Sequence, residues 1–277
     1  MNQIYNNRYL DFKNYCNKNT PWLDKFNIPI IKQNQEKETV FIEFRNLPHI
    51  YFIIKNAIRV LDKSWSHTIV CGENNYNFIL EVKERIGRDI KIIKLDKNNF
   101  SRLEYSLLLL KSSFWKQFSG NYILIYQEDS IVFRNIPRKY FTYDYVGAPF
   151  FNKNIGNGGF SLRNKARMIQ ICEKYYDLFD ERMEKSRDFL EKKVDFLKSK
   201  NIDYKNNQNF KFLYKIEKEL LEDVLLCDKC RNLPSFMEAQ EFSVEKYYYE
   251  NPLGGHQFWY AVKDVDKWLN LNLKKKL

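Results

Sequence analysis

The sequence predicts an α/β fold, a Rossmann-like arrangement in which a central, mostly parallel sheet is flanked by helices. Near-continuous apolar runs of strand length point to a sheet covered on both faces, and the amphipathic segments of helical period between them point to parallel crossovers. A chain of 277 residues can bury a sizeable core and suits one large domain better than two independent ones. Hydrophobic residues at 44% and aromatics at 17% argue against wholesale disorder, although abundant Asn and Lys lower the mean hydropathy to −0.58.

Residues 1–37 are polar and without a sustained period, and read as an N-terminal arm that packs Trp22 and Phe26 onto the domain spanning 38–277. The domain opens with "TVFIEFR" (Thr39 to Arg45), a β-branched and aromatic strand. Ile50, Ile53, Ile54, Ala57, Ile58 and Leu61 follow at helical spacing. "SHTIVCG" is the second strand, "NFILEVKERIG" a helix closed by Gly87, and "DIKIIKL" the third strand. "SRLEYSLLLLKSSFWKQF" reads as one long amphipathic helix with Ser101 as its N-cap, and "NYILIY" as the fourth strand. Beyond Ser130 come short strands ("YFTYDYVGAP", "GGFSLR"), a helix near Lys165 to Phe179, and a charged excursion over 180–218, read as a helical or mobile insertion.

The charge balance, 46 Lys and Arg against 35 Asp and Glu, leaves +11 and favours anionic partners without choosing among them. The basic residues are scattered apart from "LKKKL" at the C-terminus, so no nucleic-acid site is inferred. The five cysteines are odd in number and dispersed, and the opening residues lack an apolar segment of signal-peptide type, so a reducing, cytoplasmic location is expected. "CDKC" (Cys227 to Cys230) has half of a zinc-site spacing with no matching second pair. No apolar stretch approaches membrane-spanning length.

Chemistry collects at strand ends. In an open parallel sheet, ligands bind beyond the carboxyl ends of the strands, where "QEDS" emerges from the fourth strand with Glu128 and Asp129. Two such carboxylates suit a divalent cation that in turn binds a diphosphate, and serve equally as turn residues or helix caps. "GNGGFSLR" places Gly156, Gly158 and Gly159 around Asn157, as needed where backbone approaches a ligand or where a strand simply bulges. "LEDVLLC" opens a helix with Glu222 and Asp223, a pair that also favours the helix dipole. "NPLGGHQFWY" puts His256, a structural histidine or a ligand, after two glycines.

"FIEFRNLPH", "FWKQF", "YILIYQEDS", "YDYVGAPF", "GNGGFSLRN", "EDV", "EFSVE" and "PLGGHQFW", in that order, resemble a family of glycosyltransferase-like domains of formerly unknown function, found among other places in large DNA viruses. The resemblance covers most of Thr39 to Trp259, and "EFRN" is more distantly similar to the β4-galactosyltransferase pattern. It implies a GT-A fold, a nucleotide-sugar donor with UDP as the preferred base, and Mn²⁺ or Mg²⁺. "QEDS" departs from Asp-x-Asp, so the direct metal ligand is Asp129, at the matching position, or Glu128; His256 matches a C-terminal metal histidine. Glu43, Arg45 and Asn46 would lie beside the nucleotide, and Asn157, Gly158, Gly159 and Arg163 would shape the sugar side, with Asp144 and Tyr145 at the floor. Asp223, or its neighbour Glu222, would be the general base of an inverting transfer to a glycan, protein or small-molecule acceptor. The alternatives are a non-catalytic module binding a nucleotide-sugar or glycan, and a metal-dependent nuclease, which would require steeply salt-dependent DNA binding.

Overall fold

The near-continuous apolar runs become the buried strands of a six-stranded sheet. The structure, a computed structural model, describes residues 2–151, 154–177, 196, 199–200 and 221–274. The strands are β1 (Lys37–Ile42), β2 (Trp65–Cys71), β3 (Lys91–Lys94), β4 (Tyr122–Tyr126), β6 (Tyr145–Val146) and β7 (Phe160–Asn164), in the spatial order β3-β2-β1-β4-β7-β6. β5 (Ser130–Val132), β8 (Ser243–Val244) and β9 (Gly254–His256) form a second sheet in the order β5-β9-β8. β1 to β4 run parallel, whereas β7 returns antiparallel to β4, so the first sheet is mixed but mostly parallel.

Helices α2 (Ile50–Val60) and α3 (Tyr76–Ile86) connect the first three strands, as the periodicity predicts. The chain steps outward from β1 to β3 and then returns to place β4 on the other side of β1. In open sheets such a reversal marks where ligands bind, beyond the carboxyl ends of the strands, here β1 and β4. Gly87 closes α3 in the left-handed region at φ 66°, where a Cβ would be strained. The core gathers Phe41, Phe52, Ile58, Ile69, Leu124 and Tyr126, all almost inaccessible to solvent. Each large apolar side chain so buried contributes about 1.5–3 kcal/mol.

The N-terminal residues are more than an arm. α1 (Asn2–Leu23) is helical, and Phe12, Tyr15, Cys16 and Leu23 join the core, with Trp22 and Phe26 packed against it as expected. The inward face runs Tyr5, Tyr9, Phe12, Cys16, a helical spacing carried by aromatics and one cysteine among asparagines, which hides its period. At its end, Asp24 accepts bonds from Tyr51 and Lys55 of α2, at 2.5 and 2.7 Å, and from Arg85 of α3 at 2.8 Å.

Two compact units divide the chain. The first, holding both sheets, comprises residues 1–99, 118–165 and 230–277; the second comprises 100–117 and 166–229. In the second unit the expected long helix is broken into α4 (Arg102–Leu109) and α5 (Ser112–Trp115). Ser101 caps α4 in a reciprocal box with Glu104, and the break stands where Lys111 turns extended and the Trp115 indole donates to the Leu109 carbonyl at 2.7 Å. Most of α6 (Lys165–Tyr175) and all of α7 (Glu222–Asp228) also belong here. The expected insertion at 180–218 lies, apart from residues 196, 199 and 200, outside the described residues. α8 (Phe236–Phe242) and α9 (Val265–Lys274) complete the first unit. None of the five cysteines forms a disulfide, and no described helix is long and apolar enough to cross a membrane.

Candidate functional site

Three short strands bring the chemistry of distant segments together. The β5–β9 ladder pairs Ser130 with His256, which places Asp129, one residue before β5, beside the imidazole. The β8–β9 ladder pairs Val244 with Gly255, so Glu245, one residue beyond β8, flanks the same ring on its other side. The result is a row of carboxylate, imidazole and carboxylate. His256 Nε2 lies 3.3 Å from Asp129 Oδ1, and Nδ1 lies 3.2 Å from Glu245 Oε2. All three residues are largely buried, and Gln257, in left-handed backbone at φ 44°, donates its side-chain amide to Asp129 Oδ2 at 2.8 Å.

Gly159 explains one of the glycines in the loop. A Cβ on it would come within 2.3 Å of the His256 ring, so the imidazole fills the space that any other residue would occupy. The Gly159 carbonyl also accepts from the Ser130 hydroxyl at 2.8 Å, tying the glycine loop to β5. Burial alone would lower the His256 pKa, but the Asp129 charge and the bond to Glu245 outweigh it and raise it to about 10. Burial likewise disfavours the Asp129 carboxylate, and the His256 charge and the Gln257 bond hold its pKa below the usual value.

Asp129 Oδ1 and His256 Nε2 face each other without the alignment of a hydrogen bond, and neither has another partner among the described residues. An anionic oxygen and an imidazole nitrogen so placed call for a positive centre, which a proton or a metal ion supplies. A carboxylate and an imidazole are donors that a divalent cation accepts, and because both atoms are shut off from solvent, a phosphate oxygen or water would reach such an ion only once the side chains around it move apart. Among the described residues no group of three or more His, Cys, Asp or Glu is gathered to hold a metal by itself.

Glu128 turns away from this row. Its oxygens lie 2.7 Å from the Tyr9 hydroxyl, 2.9 Å from His49 Nε2 and 3.2 Å from an Arg45 guanidinium nitrogen. The Arg45 guanidinium forks onto both oxygens of Glu43 at 2.8 Å, yet half of the side chain stays exposed beyond the end of β1; Asn46 beside it is exposed as well. Opposed carboxylates thus fix one guanidinium where the strand order reverses.

The remaining expected residues are spread more widely. Asn157 turns its side-chain oxygen back to the Gly159 amide at 3.0 Å, and the Gly158 carbonyl accepts from the Ser161 hydroxyl at 3.0 Å. Arg163 is fully buried within β7, its guanidinium 4.7 Å over the Tyr145 ring and bonded to Ser161. Asp144 accepts the amides of Arg231 and Asn232, while Tyr145 is buried. Glu222, buried, and Asp223, half-buried, open α7 in the second unit.

Sequence reasoning assigns no role to Glu245, Gln257, Tyr9 or His49. Glu245 and His49 stand inside the quoted motifs "EFSVE" and "NLPH", but neither has a local signal that separates it from an ordinary polar residue.

The model of a family described as "Protein of unknown function (DUF5672)" matches residues 89–256, more than half of the chain, ending on His256. A comparison with curated proteins finds no match. Among solved structures, the apo-form glycosyltransferase GlyE of Streptococcus pneumoniae TIGR4 is similar at 12% identity with a TM-score of 0.46. The alignment covers 85% of this chain and spans 62% of that chain's length.

Proposed function

This chain belongs to the DUF5672 family, and from that premise we propose that it is a glycosyltransferase of the GT-A type, moving a sugar from a nucleoside-diphosphate donor to an acceptor hydroxyl. One observation carries the reading: Asp129 and His256 meet 3.3 Å apart, and Glu128, the residue before Asp129, bonds Arg45 where the strand order reverses. The ordered motifs of the sequence support the same chemistry.

In this proposal Asp129 and His256 hold a divalent cation, Mn²⁺ in preference to Mg²⁺, because a mixed carboxylate and imidazole pair suits the softer ion. When bound, that ion would offset the negative charge growing on the departing diphosphate. Glu128 and Glu43 keep the Arg45 guanidinium rigid, leaving its outward N–H groups for a phosphate oxygen. The glycine loop with Asn157 shapes the sugar side, and Arg163 supports it from within the sheet. As the acceptor oxygen bonds to the anomeric carbon, the bond to the diphosphate breaks and its electron pair leaves with the diphosphate. The hydroxyl proton passes to a carboxylate, Asp223 or alternatively Glu222, with inversion. UDP is the expected nucleotide, and a glycan, protein or small molecule the acceptor.

The test is turnover of a panel of nucleotide-sugars with and without Mn²⁺. Metal-dependent release of nucleoside diphosphate is expected, and D129A should reduce it about 10²-fold or more. Undiminished activity in a folded D129A, or donor binding without turnover across the panel, would overturn the assignment. NMR of the product's anomeric proton reads inversion directly.

A further inference from the structure

We propose that Glu245 is the positioning residue that orients His256 for cation binding: by taking the bond from Nδ1, it leaves Nε2 as the nitrogen turned to Asp129. The inference rests on the metal reading above and adds to it a residue that never touches the ion.

The bond is built into the sheet. Parallel pairing of β8 with β9 sets Glu245 next to His256 in register, so the contact does not depend on a flexible loop. Glu245 is almost fully buried, and both of its oxygens are engaged: Oε2 by the imidazole at 3.2 Å and Oε1 by Lys246 Nζ at 2.9 Å. Lys246 is held in turn, its ammonium 3.1 Å from the centre of the Tyr260 ring. The ammonium offsets the charge of the buried carboxylate, and the fixed carboxylate leaves the ring one orientation. Gly159 permits that orientation by having no Cβ. With Nδ1 held by Glu245, Nε2 stands 3.3 Å from Asp129 Oδ1, paired with it through a proton that a cation would replace. Ligating histidines ordinarily donate their second nitrogen to a carboxylate in this way.

The experiment titrates the full chain with Mn²⁺ alone, reading free ion by electron paramagnetic resonance and bound ion by its nitrogen hyperfine coupling. Wild type should bind with an imidazole nitrogen coupling that H256A lacks. E245Q keeps the shape of the side chain without its charge, and E245A removes the acceptor; both should weaken Mn²⁺ binding about 10- to 100-fold and alter the coupling. Unfolding curves without metal establish that the variants fold, and the isosteric E245Q carries the test if E245A does not. Wild-type affinity and coupling in folded E245Q would overturn the role of Glu245 alone. Absence of Mn²⁺ binding by wild type would instead remove the metal reading and this inference with it.

Discussion

His256 stands between two carboxylates in a space that Gly159 leaves open, so small changes there carry large effects. Gly159→Ala puts a methyl group 2.3 Å from the ring, and because the ring is packed on its other sides, the strain cannot be relieved by a simple rotation. It is expected to destabilise the protein by about 1–3 kcal/mol in urea unfolding and to weaken Mn²⁺ binding. His67, in contrast, is a histidine of the core, where burial lowers its pKa to about 3 while Nδ1 pairs with the Thr39 hydroxyl at 2.8 Å. Its folded value lies below its unfolded value of 6.5, so its contribution to stability is complete above that pH. It is lost progressively as pH falls toward 3. The His67 imidazole resonances should accordingly stay flat from pH 8 to about pH 5; a midpoint near the ordinary value would contradict its burial.

Among the elements, α1 is the one whose role the sequence leaves least visible. Through Tyr9 it reaches Glu128, and Arg8 donates to the Trp259 carbonyl at 2.9 Å, so the helix braces both the residue before Asp129 and the segment after His256. Tyr9→Phe removes a hydrogen bond to a charged group and should cost about 1.5–3 kcal/mol in chemical denaturation while leaving the helix content unchanged by circular dichroism. The other anchor of α1 is Asp24. Burial works against its charge, but Lys55, Tyr51 and Arg85 together hold its pKa at about 2. A carboxylate so depressed stabilises above its unfolded value of 3.8 and loses that contribution as pH falls through about 2. Because a third of the side chain is exposed, the effect is worth less than about 1 kcal/mol, and Asp24→Asn should flatten the acid limb of the stability curve by no more than that. The apolar strands β1, β2 and β4 were legible because strands buried along nearly their whole length need no alternation to announce themselves. β5, β8 and β9, two or three residues each, are too short for any period to register, and they are the elements that assemble the site.

For the molecule as a whole, a ligand that binds only the native state raises the unfolding temperature by mass action. UDP with Mn²⁺ should therefore shift the midpoint upward, by about 2.7 kcal/mol of apparent stability at a hundred times the dissociation constant. Neither component alone, nor D129A with both, should match that shift. The net charge of +11 makes DNA binding a necessary control. Duplex DNA at 150 mM salt should leave the midpoint unmoved, because the basic residues, apart from "LKKKL", are scattered along the sequence. Protection by DNA at that ionic strength would favour the nuclease alternative.

By itself the sequence determined the class of fold: alternating apolar runs and amphipathic helices carry their own periods, and burial of strands and helix faces is a local demand written residue by residue. It also singled out Asp129, His256 and Arg45, through the ordered motifs rather than through their spacing. Only the tertiary structure decided that Glu128 holds Arg45 while Asp129 faces His256, and that Glu245 completes the row. Asp129 meets His256 through a strand register between segments more than a hundred residues apart, Glu128 reaches Arg45 across 83 residues, and Glu245 reaches His256 through the pairing of two strands too short to show a period, beside a missing Cβ at Gly159; such contacts leave no trace in the pattern of neighbouring residues.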